Sequence, residues 1–224
     1  MQVKTKAIVL KYIKYTDTSI IAYLFTKELG RQTYIIRGVR GKKSKIKINL
    51  FQALSVLDID AVQKQKSNIQ SLKEAKPSFV LNEINTDIYK SSIAFFISEI
   101  IYKTIKDEEH DEDLYNFIEN FIIELEDATE FSNYHLIFLI RLTSYLGFLP
   151  NTEEIKYEFG NGFSFDYVSV FNSILNASTY SISLPTITKN NRSELLRVIL
   201  NYYSLHLPNF TEVKSLKVLK EIFS

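Results

Sequence analysis

The chain contains no cysteine and no long apolar run, and each absence removes a class of protein. Without cysteine there are no disulfides, thiolate zinc sites, thiol nucleophiles or iron–sulfur clusters. The most apolar run, residues 136–149, includes Arg141 and is shorter than the roughly 20 residues that a membrane helix needs. No secretory signal is visible, because four lysines interrupt the apolar residues within positions 4–14. We therefore expect a cytoplasmic protein.

Patterns that support catalysis or metal binding are also missing. The three histidines, His110, His135 and His206, lie far apart in the chain. The acidic stretch 107–113 lacks the glycine and the spacing of a calcium loop, and we interpret it as a solvated linker whose last acids favour the start of the next helix. The segment 41–44 lacks the earlier glycine of a phosphate-binding loop and a hydroxyl residue directly after its first lysine. No Gly-x-Ser-x-Gly elbow is present. We expect no enzyme activity, no cofactor and no metal.

Positive charge is concentrated in the N-terminal part of a chain whose net charge is only +1. Residues 1–80 contain 16 Lys and Arg against 5 Asp and Glu, a net of +11, whereas residues 81–224 contain 11 against 21, a net of −10. The segment 37–47, called the basic segment below, has six cations and no acid. Such asymmetry indicates a polyanionic partner, with nucleic acid as the leading class. The alternative is a solvated basic loop.

The N-terminal residues predict a small β-barrel. Five runs are rich in β-branched and aromatic residues: 7–13, 19–25, 31–36, 51–59 and 67–75. Turn signals separate the runs. Five short strands with one long charged connection fit a Greek-key barrel of the oligonucleotide-binding (OB) type.

The third run places cations on one face of a strand. The side chains of Arg31, Thr33, Ile35 and Arg37 share one face, because side chains alternate with period two. This face leads directly into the basic segment and suits a groove that follows a phosphate backbone. Four tyrosines lie among the basic residues: Tyr12, Tyr15, Tyr23 and Tyr34. We expect one or two of them to be exposed and to stack on bases, at about 1–3 kcal/mol each.

After Pro77 the pattern becomes helical. Five helices are predicted: 84–106, 114–125, 132–149, 192–205 and 212–223. The second has apolar residues at i, i+3, i+4 and i+7, which is typical of an amphipathic helix. The third is apolar nearly all round, so we expect it at the centre of the helical part. Residues 151–188 are less regular, and we expect their aromatic side chains to pack on the helices: Phe159, Phe163, Phe165, Tyr167 and Phe171.

Several short motifs, each weak alone, are informative in their order. In the N-terminal part they are Ala7-Ile-Val-Leu10, Asp17-Thr-Ser19, Leu24-Phe-Thr26, Gly30, Arg37-Gly-Val-Arg40 and Lys42-Lys-Ser44. A pattern F-x-x-R-L-x-x-x-L-G-[YF]-x-P follows in Phe138, Arg141, Leu142, Leu146, Gly147, Phe148 and Pro150, and a last motif spans residues 214–220. The ordered set closely resembles the RecO family of DNA repair and recombination mediators and covers nearly the whole chain.

This resemblance implies a two-domain α+β protein, with a five-stranded OB-fold barrel at residues 1–78 and an all-α helical domain at residues 79–224. It implies binding to single- and double-stranded DNA, strand annealing, and help in loading a recombinase on strands coated with single-strand-binding protein. Implied partners are RecR and the acidic C-terminal tail of single-strand-binding protein, in a bacterial, nucleoid-associated setting. Many members carry a four-cysteine zinc module where this chain has residues 151–180 without cysteine. We therefore expect this domain to fold without zinc.

Two sets of residues are predicted to contact partners. The nucleic-acid set is Arg31, Tyr34, Arg37, Arg40, Lys42, Lys43, Lys45 and Lys47. The tail-binding set is Phe138, Arg141, Leu142 and Tyr145. An internal ion pair of Arg141 with Glu99 or Glu124 is the alternative role for that cation.

Two other functions compete with the mediator. An RNA-binding OB-fold accessory protein would show the same basic groove. A nuclease would need convergent carboxylates, which the basic domain hardly offers.

Overall fold

The structure, a computed structural model, describes residues 1–39, 41, 46–64, 67–106, 110–160, 165–177, 184 and 186–223. Its N-terminal part is a closed barrel of five strands in the order β1-β2-β3-β5-β4. The strands are β1 (Gln2–Lys14), β2 (Ile20–Thr26), β3 (Gly30–Ile36), β4 (Val56–Val62) and β5 (Gln70–Pro77). A short 3₁₀ helix, Ile48–Phe51, precedes β4. The predicted five-stranded barrel of the OB type is confirmed.

Alternating burial explains why the barrel forms. Along β3 every second residue is buried, so Gln32 and Tyr34 point inward while Arg31, Thr33 and Ile35 point outward. The long strand β1 pairs with β4 through its first half and with β2 through its second half. A bulge lies between Val9 and Lys11, where the pairing with β2 shifts by one residue. The extra residue turns Lys11 to the outer face, directly opposite Tyr23.

The helical part contains eight helices within the described residues. They are α1 (Glu83–Thr86), α2 (Ile88–Thr104), α3 (Glu112–Asp127), α4 (Tyr134–Tyr145), α5 (Thr152–Gly160), α6 (Tyr167–Asn176), α7 (Lys189–His206) and α8 (Ser215–Ile222). The prediction of one helix over 84–106 was wrong. Asp87 is extended and caps α2 by accepting from the backbone N–H groups of Tyr89 and Lys90, so the chain makes two helices.

The other helical expectations are largely confirmed. Asp111 caps α3 by accepting from the N–H of Leu114, with Glu112 and Asp113 in the first turn, as expected for the end of the acidic linker. Helix α4 is buried along nearly its whole length and lies at the centre of the helical part. It ends at Tyr145 and not at residue 149 as predicted, and Gly147 follows with φ +78°.

Residues 151–177, expected to be less regular, form α5 and α6. Phe159 packs on Phe171 with ring centroids 4.6 Å apart, and Phe165 lies 5.1 Å from Tyr167. The predicted aromatic packing is therefore present for these four residues. Phe163 is outside the described residues. In the part of the chain that the structure describes, no group of three or more His, Asp or Glu is placed to hold a metal ion.

One apolar cluster joins the outer face of the barrel to the helices, and the interior of the barrel forms a separate core. Outward-facing barrel residues, among them Ile8, Leu10 and Phe25, belong to the same buried cluster as the cores of α2, α3 and α4. The ring of Phe25 lies 5.8 Å from that of Tyr115 on α3. Two ion pairs border this contact, Lys6 with Glu119 at 2.9 Å and Lys27 with Glu112 at 3.0 Å. The helices therefore cover one side of the barrel and fix where a ligand can approach it.

Candidate nucleic-acid interface

The turn between β1 and β2 and the start of the basic segment lie at the same end of the barrel. Ile20, the first residue of β2, pairs with Ile36, the last residue of β3. Arg37 is exposed directly after this pair. Tyr12, near the end of β1, is 42% exposed, and Tyr15, directly after β1, is 59% exposed. This matches the expectation that one or two of the four tyrosines are exposed.

Both ends of the basic segment are anchored in the barrel. Val39 and Ile46 are buried in the barrel core, on either side of residues 40–45. Gly38 has φ +69°, and the N–H of Gly41 donates to its carbonyl at 2.9 Å, which makes a tight turn after Arg37. Lys47 is exposed beyond the second anchor. The predicted ligands Arg40, Lys42, Lys43 and Lys45 lie outside the described residues.

The prediction that Tyr34 contacts nucleic acid was wrong. Its ring is fully buried inside the barrel, because position 34 falls on the inner face of β3. The Tyr34 hydroxyl accepts from Nε2 of Gln63 at 3.2 Å, and burial raises the pKa of this phenol. Tyr34 is a core residue and cannot stack on a base in this conformation.

Arg31 lies at the junction between barrel and helices. Its guanidinium donates to the carbonyl of Tyr102 at the end of α2, and its Cζ is 4.8 Å from the centroid of the Tyr102 ring. The Nζ of Lys11 is 3.4 Å from the same centroid and 4.8 Å from that of Tyr23. The two tyrosine rings meet edge to face at 5.2 Å. We call Lys11, Tyr23, Arg31 and Tyr102 the junction cluster. Of these four residues, only Arg31 was predicted from the sequence as a nucleic-acid ligand, because the bulge in β1 and the docking of α2 are tertiary features.

The opposite face of the barrel, formed by β1, β4 and β5, carries most of the acidic residues of the barrel. Strands β1, β4 and β5 bring Asp58, Asp60 and Glu74 together with lysines around a shallow cleft. Asp58 lies 3.8 Å from Lys76 and accepts from the hydroxyl of Ser78 at 3.0 Å. Because most acids of the barrel lie there, a polyanion is favoured on the β1–β2–β3 side and around the basic segment.

The predicted tail pocket on α4 does not form as expected. Phe138 and Leu142 are fully buried, and the Phe138 ring stacks on Phe117 and lies against Phe121, with centroids 5.2 Å and 4.6 Å away. The apolar character of α4 on all sides reflects its central position, so these two residues cannot line a surface pocket. Tyr145 is 40% exposed and stacks on Phe117 at 4.4 Å.

Arg141 joins α4 to the end of α6 by hydrogen bonds. Its guanidinium donates to the carbonyl of Ala177 at 2.5 Å and to that of Ile174 at 3.4 Å, so it binds the C-terminal end of α6. It lines a cleft of about 620 Å³ together with Tyr145 and the acids Asp113 and Glu124. An acidic tail would meet those two carboxylates, which disfavours this cleft as its site.

The alternative partner Glu99 is engaged elsewhere. Its carboxylate accepts from the N–H of Lys214 at 3.1 Å and from the N–H and hydroxyl of Ser215 at 2.8 Å and 2.6 Å. These hydrogen bonds outweigh the effect of partial burial and lower the pKa of Glu99. Glu99 therefore caps α8 from α2 and holds the last helix on the domain.

Comparison with known proteins covers both parts of the chain. A model described as "Recombination protein O N terminal" matches residues 1–79, and one described as "Recombination protein O C terminal" matches residues 85–154. Among similar proteins, the DNA repair protein RecO of Flavobacterium psychrophilum is 37% identical and that of Flavobacterium johnsoniae 38%, each alignment covering 100% of both chains. The DNA repair protein RecO of Phocaeicola vulgatus is 36% identical over 99% of both.

No helix in the described ranges is both long and apolar enough to span a membrane. The barrel, the helical part and the matches over the full length agree with one another, and the resemblance seen in the ordered motifs is confirmed. This chain belongs to the RecO family.

Proposed function

We propose that this protein is a non-catalytic DNA-binding mediator of DNA repair. It binds single- and double-stranded DNA through the basic end of its barrel, anneals complementary strands and assists recombinase loading on strands coated with single-strand-binding protein. The observation that carries the proposal is the anchored basic segment, held between Val39 and Ile46, with exposed Arg37 and Lys47 at its ends and exposed Tyr15 beside it. The names of the relatives, all DNA repair proteins, support the same role.

Annealing of complementary strands precoated with the cognate single-strand-binding protein tests this function. In the presence of Mg²⁺ we expect faster duplex formation than without the protein, and intact strands throughout. Degraded strands would instead indicate a nuclease. Stronger binding to RNA than to DNA of the same sequence, without annealing, would favour the RNA-binding alternative, because a basic groove alone does not distinguish the two polymers.

We also propose RecR and the acidic tail of single-strand-binding protein as partners, on the strength of family membership. For the tail, α8 is a better candidate than α4. Lys214, directly before α8, and Lys217 and Lys220 on α8 are exposed on a domain of net negative charge. Val218 is 42% exposed, and one acid, Glu221, lies 4.0 Å from Lys217 at the solvent-exposed surface. Cations beside an exposed apolar side chain suit an acidic peptide with apolar residues.

Charge reversal on α8 tests this placement. The variant Lys217→Glu with Lys220→Glu should weaken binding of the tail peptide about tenfold at 0.1 M salt, since each lysine contributes a charge-assisted contact. The matched control is Lys189→Glu with Arg197→Glu, which makes the same charge change on exposed positions of α7. Calorimetric titration with the peptide measures both variants. Equal affinities in the two variants would exclude α8 as the site.

A further inference from the structure

The junction cluster brings two cations to one aromatic ring. Lys11 Nζ lies 3.4 Å and Arg31 Cζ 4.8 Å from the centroid of Tyr102. Within the described part of the chain, Lys11 makes cation–π contacts and no ion pair. A tyrosine ring offsets part of the repulsion between two such charges, at about 0.5–2 kcal/mol per contact. The guanidinium of Arg31 is held by the carbonyl of Tyr102, so Lys11 is the cation of the cluster that is placed to attract an anion.

We propose that the junction cluster is a phosphate-binding subsite for single-stranded DNA, and that α2 of the helical part thereby contributes to the DNA interface. The inference rests on the DNA binding proposed above and extends it in space. In this arrangement Lys11 contacts the backbone, and Arg31 holds Tyr102 in place through its carbonyl. Tyr102 from α2 and Tyr23 from β2 form the aromatic wall beside Lys11. The strand therefore does not stay on the barrel alone.

The outer face of β1, β2 and β3 connects this subsite to the basic segment. Lys11, Tyr23 and Thr33 form one row across the three strands, and Ile13, Ile21 and Ile35 form the next row towards Arg37. Ile13 is 46% exposed, so this row offers apolar contact to bases. From Thr33 to Arg37 the strand spans on the order of 13 Å. The cluster and the basic segment therefore lie within reach of one short oligonucleotide.

A second exposed ring lies on the same face of α2. Phe95 is 51% exposed and precedes Tyr102 by seven residues, which is about two helical turns. Single-stranded nucleic acid is bound by such combinations of cations with aromatic rings, on which bases stack with little sequence preference. A duplex keeps its bases stacked internally, so the rings favour a single strand as the occupant.

Salt-dependent binding of an oligo-dT strand of about 20 nucleotides tests the subsite, since one OB fold occupies about 4–16 nucleotides. Lys11→Gln in the full chain should lower affinity by about threefold to tenfold and reduce the slope of log K against log salt by about 0.7, the value for one phosphate contact on a single strand. The matched control is Lys6→Gln, which removes one charge at the barrel–helix contact, where Lys6 pairs with Glu119; we expect an unchanged slope.

A cross-link gives a readout that a purely structural clamp would not produce. Cleavage after Lys90 and Lys103 releases residues 91–103, which contain Phe95 and Tyr102, as one peptide. With a strand that carries 5-iodouracil, illumination should attach DNA to this peptide in the wild type and much less in Lys11→Gln. If Lys11→Gln binds with the wild-type slope and the peptide is not labelled, the cluster only joins the two parts of the protein. In that case charge reversal in the basic segment would still weaken binding, whereas a wild-type protein that binds no strand would overturn both proposals.

Discussion

Replacing Arg40, Lys42 and Lys43 by Glu is expected to weaken DNA binding by at least about a hundredfold at 0.1 M salt. Each cation is expected to neutralise one phosphate, and a hydrogen bond to a charged group contributes about 1.5–3 kcal/mol. Loss of three phosphate contacts should also reduce the slope of log K against log salt, by about 2.7 on duplex and about 2.1 on single strands. The fold should be retained, because Val39 and Ile46 anchor the segment and are unchanged.

The opposite face of the barrel supplies the control. Lys4→Glu, Lys73→Glu and Lys76→Glu together change the net charge by the same amount, on exposed positions of β1 and β5 beside the acids Asp58, Asp60 and Glu74. This variant should lose far less affinity than the basic-segment variant and keep the wild-type slope. Equal losses in the two variants would show that net charge alone, and not the basic segment, governs binding. Fluorescence anisotropy over a salt series measures both quantities.

Acidification is expected to destabilise the protein through His135. This side chain is fully buried in α4, and its Nδ1 has no hydrogen-bond partner within the described residues. It packs between the rings of Phe96 on α2 and Phe223 after α8, at centroid distances of 6.4 Å and 5.9 Å. Burial, with a smaller contribution from the Arg192 guanidinium, lowers the pKa of His135 from 6.5 to about 3.

A histidine whose pKa is lower in the folded state binds protons preferentially when unfolded. The contribution of neutral His135 to the free energy of unfolding is therefore fully present above pH 6.5, and it decreases as the pH falls towards 3. Each pH unit in this window costs about 1.4 kcal/mol, so the loss reaches about 3 kcal/mol by pH 4.5. Against a typical total of about 5–15 kcal/mol this is a large share.

His135→Leu should remove this dependence. The variant should be at least as stable as the wild type at pH 4.5, since it has no buried imidazole to protonate. Urea unfolding at pH 7.5, 6 and 4.5, as about three points across the window, measures the free energies. The control His110→Gln alters an exposed histidine before α3 and should follow the wild type. If the free energy of unfolding falls with decreasing pH no more steeply in the wild type than in His135→Leu, then His135 is not held neutral by its burial.

The sequence predicted those elements that depend on local pattern. The five strands follow from runs of β-branched residues, and α3 from its apolar spacing, because each buries one face in a regular period. The break between α1 and α2 was missed although Asp87 is a good capping residue, since the apolar pattern continues through it. The basic segment was found because six cations in eleven residues need no tertiary information to be recognised.

Side-chain roles that depend on packing were harder to predict. Tyr34 was placed among DNA ligands because of its neighbours in the chain, whereas the phase of β3 turns it into the core. Phe138, Arg141 and Leu142 form a family pattern, yet two of them fill the core and Arg141 holds the end of α6. The junction cluster needs the bulge in β1 and the docking of α2, neither of which a single sequence specifies.

The apolar cluster shared by the outer face of the barrel and the helices constrains how the sequence of this protein can evolve. Two family models match residues 1–79 and 85–154 separately, which invites treatment of the two parts as exchangeable modules. Ile8, Leu10 and Phe25 on the barrel are nevertheless buried among residues of α2, α3 and α4. A barrel transplanted from a relative would have to bring matching surfaces with it, because mismatched volumes at such a contact cost about 1–3 kcal/mol or more. We therefore expect the two halves to vary together, with substitutions along this contact inherited as compensating sets.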